Sequence, residues 1–266
     1  MRGAKGTGKT LLFRLFVERS ADARSFAQSY TNLTNVEFIP GHGQTKLRNT
    51  LLTSTDLASY EQQAGEGSWT LFWLNYMLLQ LISSEPKLQT LPGIDPQLVQ
   101  MGLEGKPQHA NIVAWLVHQA KVPQYAPQAN DELFSIDHWL QEQKRKIWLL
   151  YDELDVGFGQ DYGRRRRALE ALLGWWVENG SALSSIVPKI LLREDIWNSL
   201  NFTNKAYFST RYVQLRWEEG DLWRLVLRQA LSQSPTLATL VHQQYALCLH
   251  FSQRVAGKDT MWYQEV

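Results

Sequence analysis

The chain has 266 residues, 44% of them hydrophobic, and its 27 lysines and arginines against 26 aspartates and glutamates leave a net charge of +1. That length suits one large domain, or one domain and part of a second, with ample apolar material for a core. The balanced charge gives no global pull toward nucleic acid or an anionic membrane, the single cysteine (Cys248) rules out an internal disulfide framework, and no apolar run nears the roughly 18–20 residues of a membrane span.

The first ten residues read MRGAKGTGKT, with Gly3, four positions, then Gly8, Lys9 and Thr10. A loop of this composition turns its backbone N–H groups inward as a nest for phosphate oxygens, and Gly6 and Gly8 permit the curvature. The following LLFRLFVE, residues 11–18, reads as a helix whose positive end faces the same phosphates. The spacing therefore marks Gly3, Ala4, Lys5, Gly6, Thr7, Gly8, Lys9, Thr10 and Leu11 as nucleotide-binding. Lys9 is expected to reach the β- and γ-phosphates, and the Thr10 hydroxyl to bind Mg²⁺. Such a loop is clamped between a strand and a helix. Met1 and Arg2 are too few for a strand of about five residues, so the chain is expected to be incomplete at its start.

Further along, TNVEFIPG at 34–41 reads as a strand, TDLASYEQQAG as a helix, and SWTLFWLNYMLLQLI at 68–82 as a helix apolar nearly all round and hence buried. Residues 84–108, with Pro86, Pro92, Pro96 and Pro107, read as a long loop or insertion. Helices are expected at 109–121 and 131–145. KIWLLYDELD at 146–155 then reads as a strand buried on both faces that ends in carboxylates. Asp152 is placed to hold Mg²⁺ through water and Glu153 to polarise the attacking water as general base.

The next stretch carries Gly157, Gly159 and Gly163 and then Arg164 to Arg167 at a helix start, the wrong end for positive charge. The four arginines are read as an arginine finger for a neighbouring subunit, a nucleic-acid contact, or a solvated ion-paired face. IVPKILLRED at 186–195 and YFSTRYVQLRW at 207–217 are strand candidates, and DLWRLVLRQALSQ and LATLVHQQYALCLHFSQ are amphipathic helices. The six histidines and 11 tryptophans form no metal-ligand spacing.

GAKGTGKT, LLYDE and the strand IVPKILLRED together resemble the additional-strand, catalytic-glutamate class of P-loop ATPases, which includes AAA+, STAND and KAP-like bacterial proteins. The resemblance implies an α/β three-layer fold with a mostly parallel sheet. It further implies a core over 1–217, largely helical with an insertion over about 42–145, and a helical lid or a second domain over 218–266. It implies that Arg193, at the sensor strand's end, contacts the γ-phosphate or the attacking water, and it places Arg211 and Arg216 at the lid junction. Guanine-specific proteins read their base with N-K-x-D. Here Asn204-Lys205-Ala206-Tyr207 puts a tyrosine in the aspartate's place, so ATP is favoured over GTP.

The expected activity is slow ATP hydrolysis driving a conformational or oligomerisation switch in bacterial signalling or defence, with self-association or a partner protein. The alternatives are a DNA-handling motor or loader and a nucleotide-binding scaffold without turnover. No secretory signal is visible, which makes the cytoplasm the expected compartment.

Overall fold

The computed structural model describes residues 1–28, 30–45, 51–104, 108–122 and 125–218, with isolated positions 220, 234, 236 and 239 beyond them. The chain divides into two compact units, Met1–Leu215 and Arg216–Val266. The two amphipathic helices expected after residue 218 lie outside the described residues, and the strands and helices described all belong to the first unit.

That unit is a mixed α/β structure built on parallel strands. Strand β1 (Arg2–Gly3) leads through the glycine-rich loop into α1 (Lys9–Glu18), with α2 (Ser20–Ala27) after it. Strand β2 (Val36–His42), β3 (Lys146–Tyr151) and β4 (Ile186–Ile190) form one parallel sheet in that order. A second sheet has the order β5 (Leu192–Arg193), β1, β6 (Gln214–Leu215), again parallel.

The segment 186–193 joins the two sheets. Leu191 N–H donates to Tyr151 O at 2.8 Å and Leu192 N–H to Met1 O at 3.0 Å, so this segment runs between β3 and β1. Arg2–Gly3 thus stands as a strand paired on both sides, in the place where sequence reasoning finds too few residues for one. The Met1 nitrogen extends the pairing by donating to Ile190 O at 2.6 Å. The Arg2 guanidinium lies between the Trp197 and Tyr212 rings, 3.8 Å from each centroid.

Side-chain alternation along β3 divides the apolar interior in two. Ile147, Leu149 and Tyr151 join the large core with the helices between β2 and β3, while Leu150 packs with Phe13 and Val17 of α1 and with Leu191. That double burial explains why the strand reads as an unbroken apolar run.

Between β2 and β3 the chain is helical. Helix α3 (Ser54–Ala64) begins in a reciprocal Thr53–Asp56 capping box and stops at Gly65, φ 92°. Helix α4 (Trp69–Ser84) is buried almost throughout. The proline-rich stretch holds more structure than expected: a 3₁₀ turn at Pro86–Thr90 and α5 (Pro96–Leu103). Pro96 starts α5 rather than breaking it, because a first-turn proline has no N–H to leave unpaired and the Asp95 side chain accepts from Gln97 N–H at 2.9 Å. Helices α6 (His109–Lys121) and α7 (Tyr125–Glu142) follow, the second starting earlier than expected. Buried Asp137 on α7 accepts the N–H groups of Ser184, Ser185 and Ile186 at 3.0, 2.8 and 2.7 Å, which fixes the entry to β4.

After β3 come α8 (Tyr162–Asn179) and α9 (Glu194–Ser199). The strand expected over 207–217 shrinks to Gln214–Leu215, because residues 205–210 form a 3₁₀ turn whose Phe208 packs edge-on against Trp197 and Phe202. Aromatic residues there fill a cluster instead of alternating across a sheet. No helix among the described residues is long and apolar enough to cross a membrane.

Candidate functional site

The carboxyl ends of β1, β3 and β5 open onto one cleft of about 380 Å³, within the range of small-molecule sites. Loop residues Lys5, Gly6, Gly8, Lys9, Thr10 and Leu11 line one side, and Asp152, Glu153, Asp155 and Arg193 the other. Gly3, Ala4 and Thr7 turn toward the Lys9 side chain instead. All the residues singled out in the sequence as a nucleotide and metal site therefore meet around one loop.

The loop's shape depends on its glycines. Gly8, at φ 88°, begins α1 in a conformation that costs other residues about 1–2 kcal/mol. A side chain on Gly3 would put its Cβ 2.5 Å from Thr7 Oγ1 and 2.9 Å from Leu215 O, so β1 can enter the loop only as glycine. Lys9 is 9% exposed, and its ammonium donates to Gly3 O at 2.9 Å, Ala4 O at 2.6 Å and Thr7 Oγ1 at 3.3 Å. Burial lowers its pKa, and the nearby Asp152 carboxylate works in the opposite direction.

Asp152 is buried at the end of β3. Burial raises its pKa, while a hydrogen bond with the Thr10 side chain and the charge of Lys9 pull it down. Its Oδ2 has no hydrogen-bond partner among the described residues. A buried carboxylate oxygen with a free lone pair beside a threonine hydroxyl suits a hard divalent cation. No three His, Cys, Asp or Glu side chains converge on one metal position among the described residues. Such an ion would complete its shell with water and phosphate oxygens, as Mg²⁺ commonly does.

Glu153 follows in a left-handed conformation, φ 53°, and its Oε2 accepts the Gln44 N–H at 3.2 Å. Arg193 faces Asp155 at 3.1 Å and binds Asp195 through two nitrogens at 3.1 and 2.7 Å. The Asp195 hydrogen bond is the main cause of its raised pKa. Arg193 is thus both a cleft residue and a partner of two carboxylates.

Arg164 and Arg167 are ion-paired within the chain. Glu61 on α3, only 7% exposed, accepts from Arg164 Nε at 2.9 Å, from Arg167 Nε and Nη2 at 3.1 and 3.0 Å, and from Trp69 Nε1 at 2.8 Å. Spacing of three residues puts the two guanidiniums on one helix face, and their unfavourable place at the start of α8 is offset by a buried carboxylate. Arg166 is exposed, and Arg165 lies over the Tyr162 ring at 4.8 Å.

Burial pushes the Glu61 pKa up, but hydrogen bonds from Trp69, Arg164 and Arg167 bring it below the ordinary glutamate value. Breaking a buried pair costs about 3–5 kcal/mol. The arginines here are partly exposed, so Glu61→Gln is expected to destabilise the fold by about 1–3 kcal/mol in urea titrations. A carboxylate with a depressed folded-state pKa contributes stability above its unfolded pKa and loses it as pH falls through the folded value. The parent should therefore lose this increment as pH falls below the ordinary glutamate value, while the variant, with no carboxylate there to protonate, should show a flatter profile.

Three residues at the site make contacts that the sequence did not indicate. His42, which reads as one histidine among six without metal spacing, contacts Asp152. Asp155 holds Arg193, and the Gln44 backbone holds Glu153. Their only sequence signal is position, at the end of β2 or just past the acidic pair.

No family model matches the chain, and comparison with curated proteins and with solved structures returns no match.

Proposed function

We propose that the cleft binds Mg·ATP and hydrolyses it, and that the chain is a P-loop ATPase of the additional-strand, catalytic-glutamate class, used as a nucleotide-driven conformational or oligomerisation switch. The observation that carries this reading is the pairing of a glycine-shaped loop, with Lys9 at its centre, to an acidic strand end whose Asp152 carboxylate lines the same cleft as Thr10. The position of segment 186–193 between β3 and β1 supports the additional strand that the resemblance implies.

In this reading the α1 N-terminus and loop amides hold the phosphates. Lys9 exchanges its loop carbonyls for phosphate oxygens, and Thr10 and Asp152 hold the cation. A divalent ion there supplies counter-charge to the polyphosphate. Glu153 takes a proton from the attacking water. Arg193 leaves its carboxylates to meet the terminal phosphate.

Lys205 donates to Trp197 O at 2.8 Å and Leu200 O at 2.6 Å, which commits it to the fold and leaves the Asn204–Tyr207 stretch without a guanine reader. Calorimetric titration is expected to give saturable heat with Mg·ATP and a weaker response with Mg·GTP. No heat with Mg·ATP would sink the reading.

Binding without turnover is a second reading, favoured by the two carboxylates already on Arg193. It predicts normal Mg·ATP binding and no phosphate release above the no-enzyme rate.

A further inference from the structure

Strands β2 and β3 pair Pro40 with Leu150 and His42 with Tyr151, which leaves Gly41 as an extra residue in β2. A bulge of this kind bends its strand and re-aims the next side chain. Only glycine fits at the bulge, since a Cβ there would lie 2.8 Å from the Tyr151 ring. The residue re-aimed is His42. Its ring turns inward, 5% exposed and edge-on to Trp73 of α4 at 6.0 Å, with Nδ1 2.9 Å from Asp152 O.

The main chain of His42 holds the same residue from the other side, because Asp152 N–H donates to His42 O at 2.8 Å. A carbonyl oxygen only accepts, so Nδ1 carries the hydrogen. Nε2 is buried and has no hydrogen-bond partner among the described residues. A buried polar atom of this kind is costly to leave unpaired. Structures retain such atoms where a specific role requires them. The peptide that His42 grips is the one that leads into Glu153, whose left-handed φ of 53° is itself unfavourable for a non-glycine residue.

We propose that His42 is a positioning residue: its Nδ1–H holds the Asp152 carbonyl, stabilises the left-handed turn at Glu153 and so aims the Glu153 carboxylate into the cleft. The catalytic consequence rests on the ATPase reading, whereas the hold on the turn does not.

The test compares the parent with His42→Asn, whose amide can place an N–H close to the Nδ1 position, and with His42→Leu, which fills the space without a donor. In single-turnover phosphate release His42→Leu should be about 10²-fold slower, the loss expected of a misaimed catalytic group, while binding Mg·ATP like the parent. His42→Asn should recover most of the rate. The parent ring, read by ¹⁵N NMR, should be the neutral Nδ1–H tautomer. An unslowed His42→Leu, a His42→Asn as slow as His42→Leu, or an Nε2–H tautomer would overturn the proposal. If the parent binds no Mg·ATP, the nucleotide reading falls. The hold is then decided by the tautomer and by the backbone amide shifts of Asp152 and Glu153 in the variants, which should move in His42→Leu and return in His42→Asn. Unmoved shifts in His42→Leu overturn it.

Discussion

Replacing Lys9 by alanine is expected to raise the dissociation constant for Mg·ATP by roughly 30- to several-thousand-fold, the range that corresponds to losing about 2–5 kcal/mol with one partner of a desolvated charge pair. The physical reason is visible at the loop. The Lys9 ammonium is largely withdrawn from water and directs its donors to Gly3 O, Ala4 O and Thr7 Oγ1, all groups of the loop itself. A phosphate arriving there offers the same donors an anionic partner, and charge-assisted hydrogen bonds are roughly twice as strong as neutral ones. Alanine removes both the charge and the stem that carries it. Lys9→Met, which keeps the stem, should lose affinity as alanine does and thereby assign the loss to the charge. Calorimetry with Mg·ATP checks both variants, and parent-like affinity in either would show that the loop does not bind phosphate through Lys9.

Sequence reveals structure where backbone chemistry restricts residue choice. The loop was legible because left-handed φ at Gly6 and Gly8 and the close approach at Gly3 demand glycine. The acidic strand was legible because burial on both faces demands an unbroken apolar run. Helix α3 was legible as TDLASYEQQAG, one residue short of its start at Ser54, whose Thr53–Asp56 capping box acts through local hydrogen bonds.

The features missed are long-range or context-bound. Glu61 meets Arg164 from 103 positions away along the chain, and His42 meets Asp152 from 110. No local pattern encodes such meetings. The four arginines advertised their odd position at a helix start but not the carboxylate that resolves it. Pro96 read as a breaker because its place at the first helical position depends on Asp95, and the aromatic run 207–217 read as a strand because β-propensity reports packing on a half-buried surface rather than a backbone preference. Strand β1 escaped because its two residues are held by neighbours from 192 and 214 onward, not by length of their own.

Glu153→Gln separates binding from chemistry, and it is expected to leave Mg·ATP affinity intact while slowing turnover by about 10²–10⁴-fold, the usual contribution of a positioned general base. The substitution keeps the length of the side chain and an oxygen that can accept the Gln44 N–H, now bonded to Glu153 Oε2 at 3.2 Å, so the left-handed turn at position 153 has no new reason to move. What it removes is the capacity to take a proton. Single-turnover phosphate release reads the chemical step without product dissociation, and calorimetry on the same variant reads binding. An undiminished rate would transfer the base to another carboxylate, of which Asp155 lies nearest along the chain. Asp155 is paired with Arg193 at 3.1 Å, so a base role for it would require that pair to open, and Asp155→Asn would then slow phosphate release where Glu153→Gln did not. If Glu153→Gln slows phosphate release as expected and Asp155→Asn raises it, the Asp155 carboxylate serves to hold Arg193 away from the phosphates, and Glu153 remains the group that activates water.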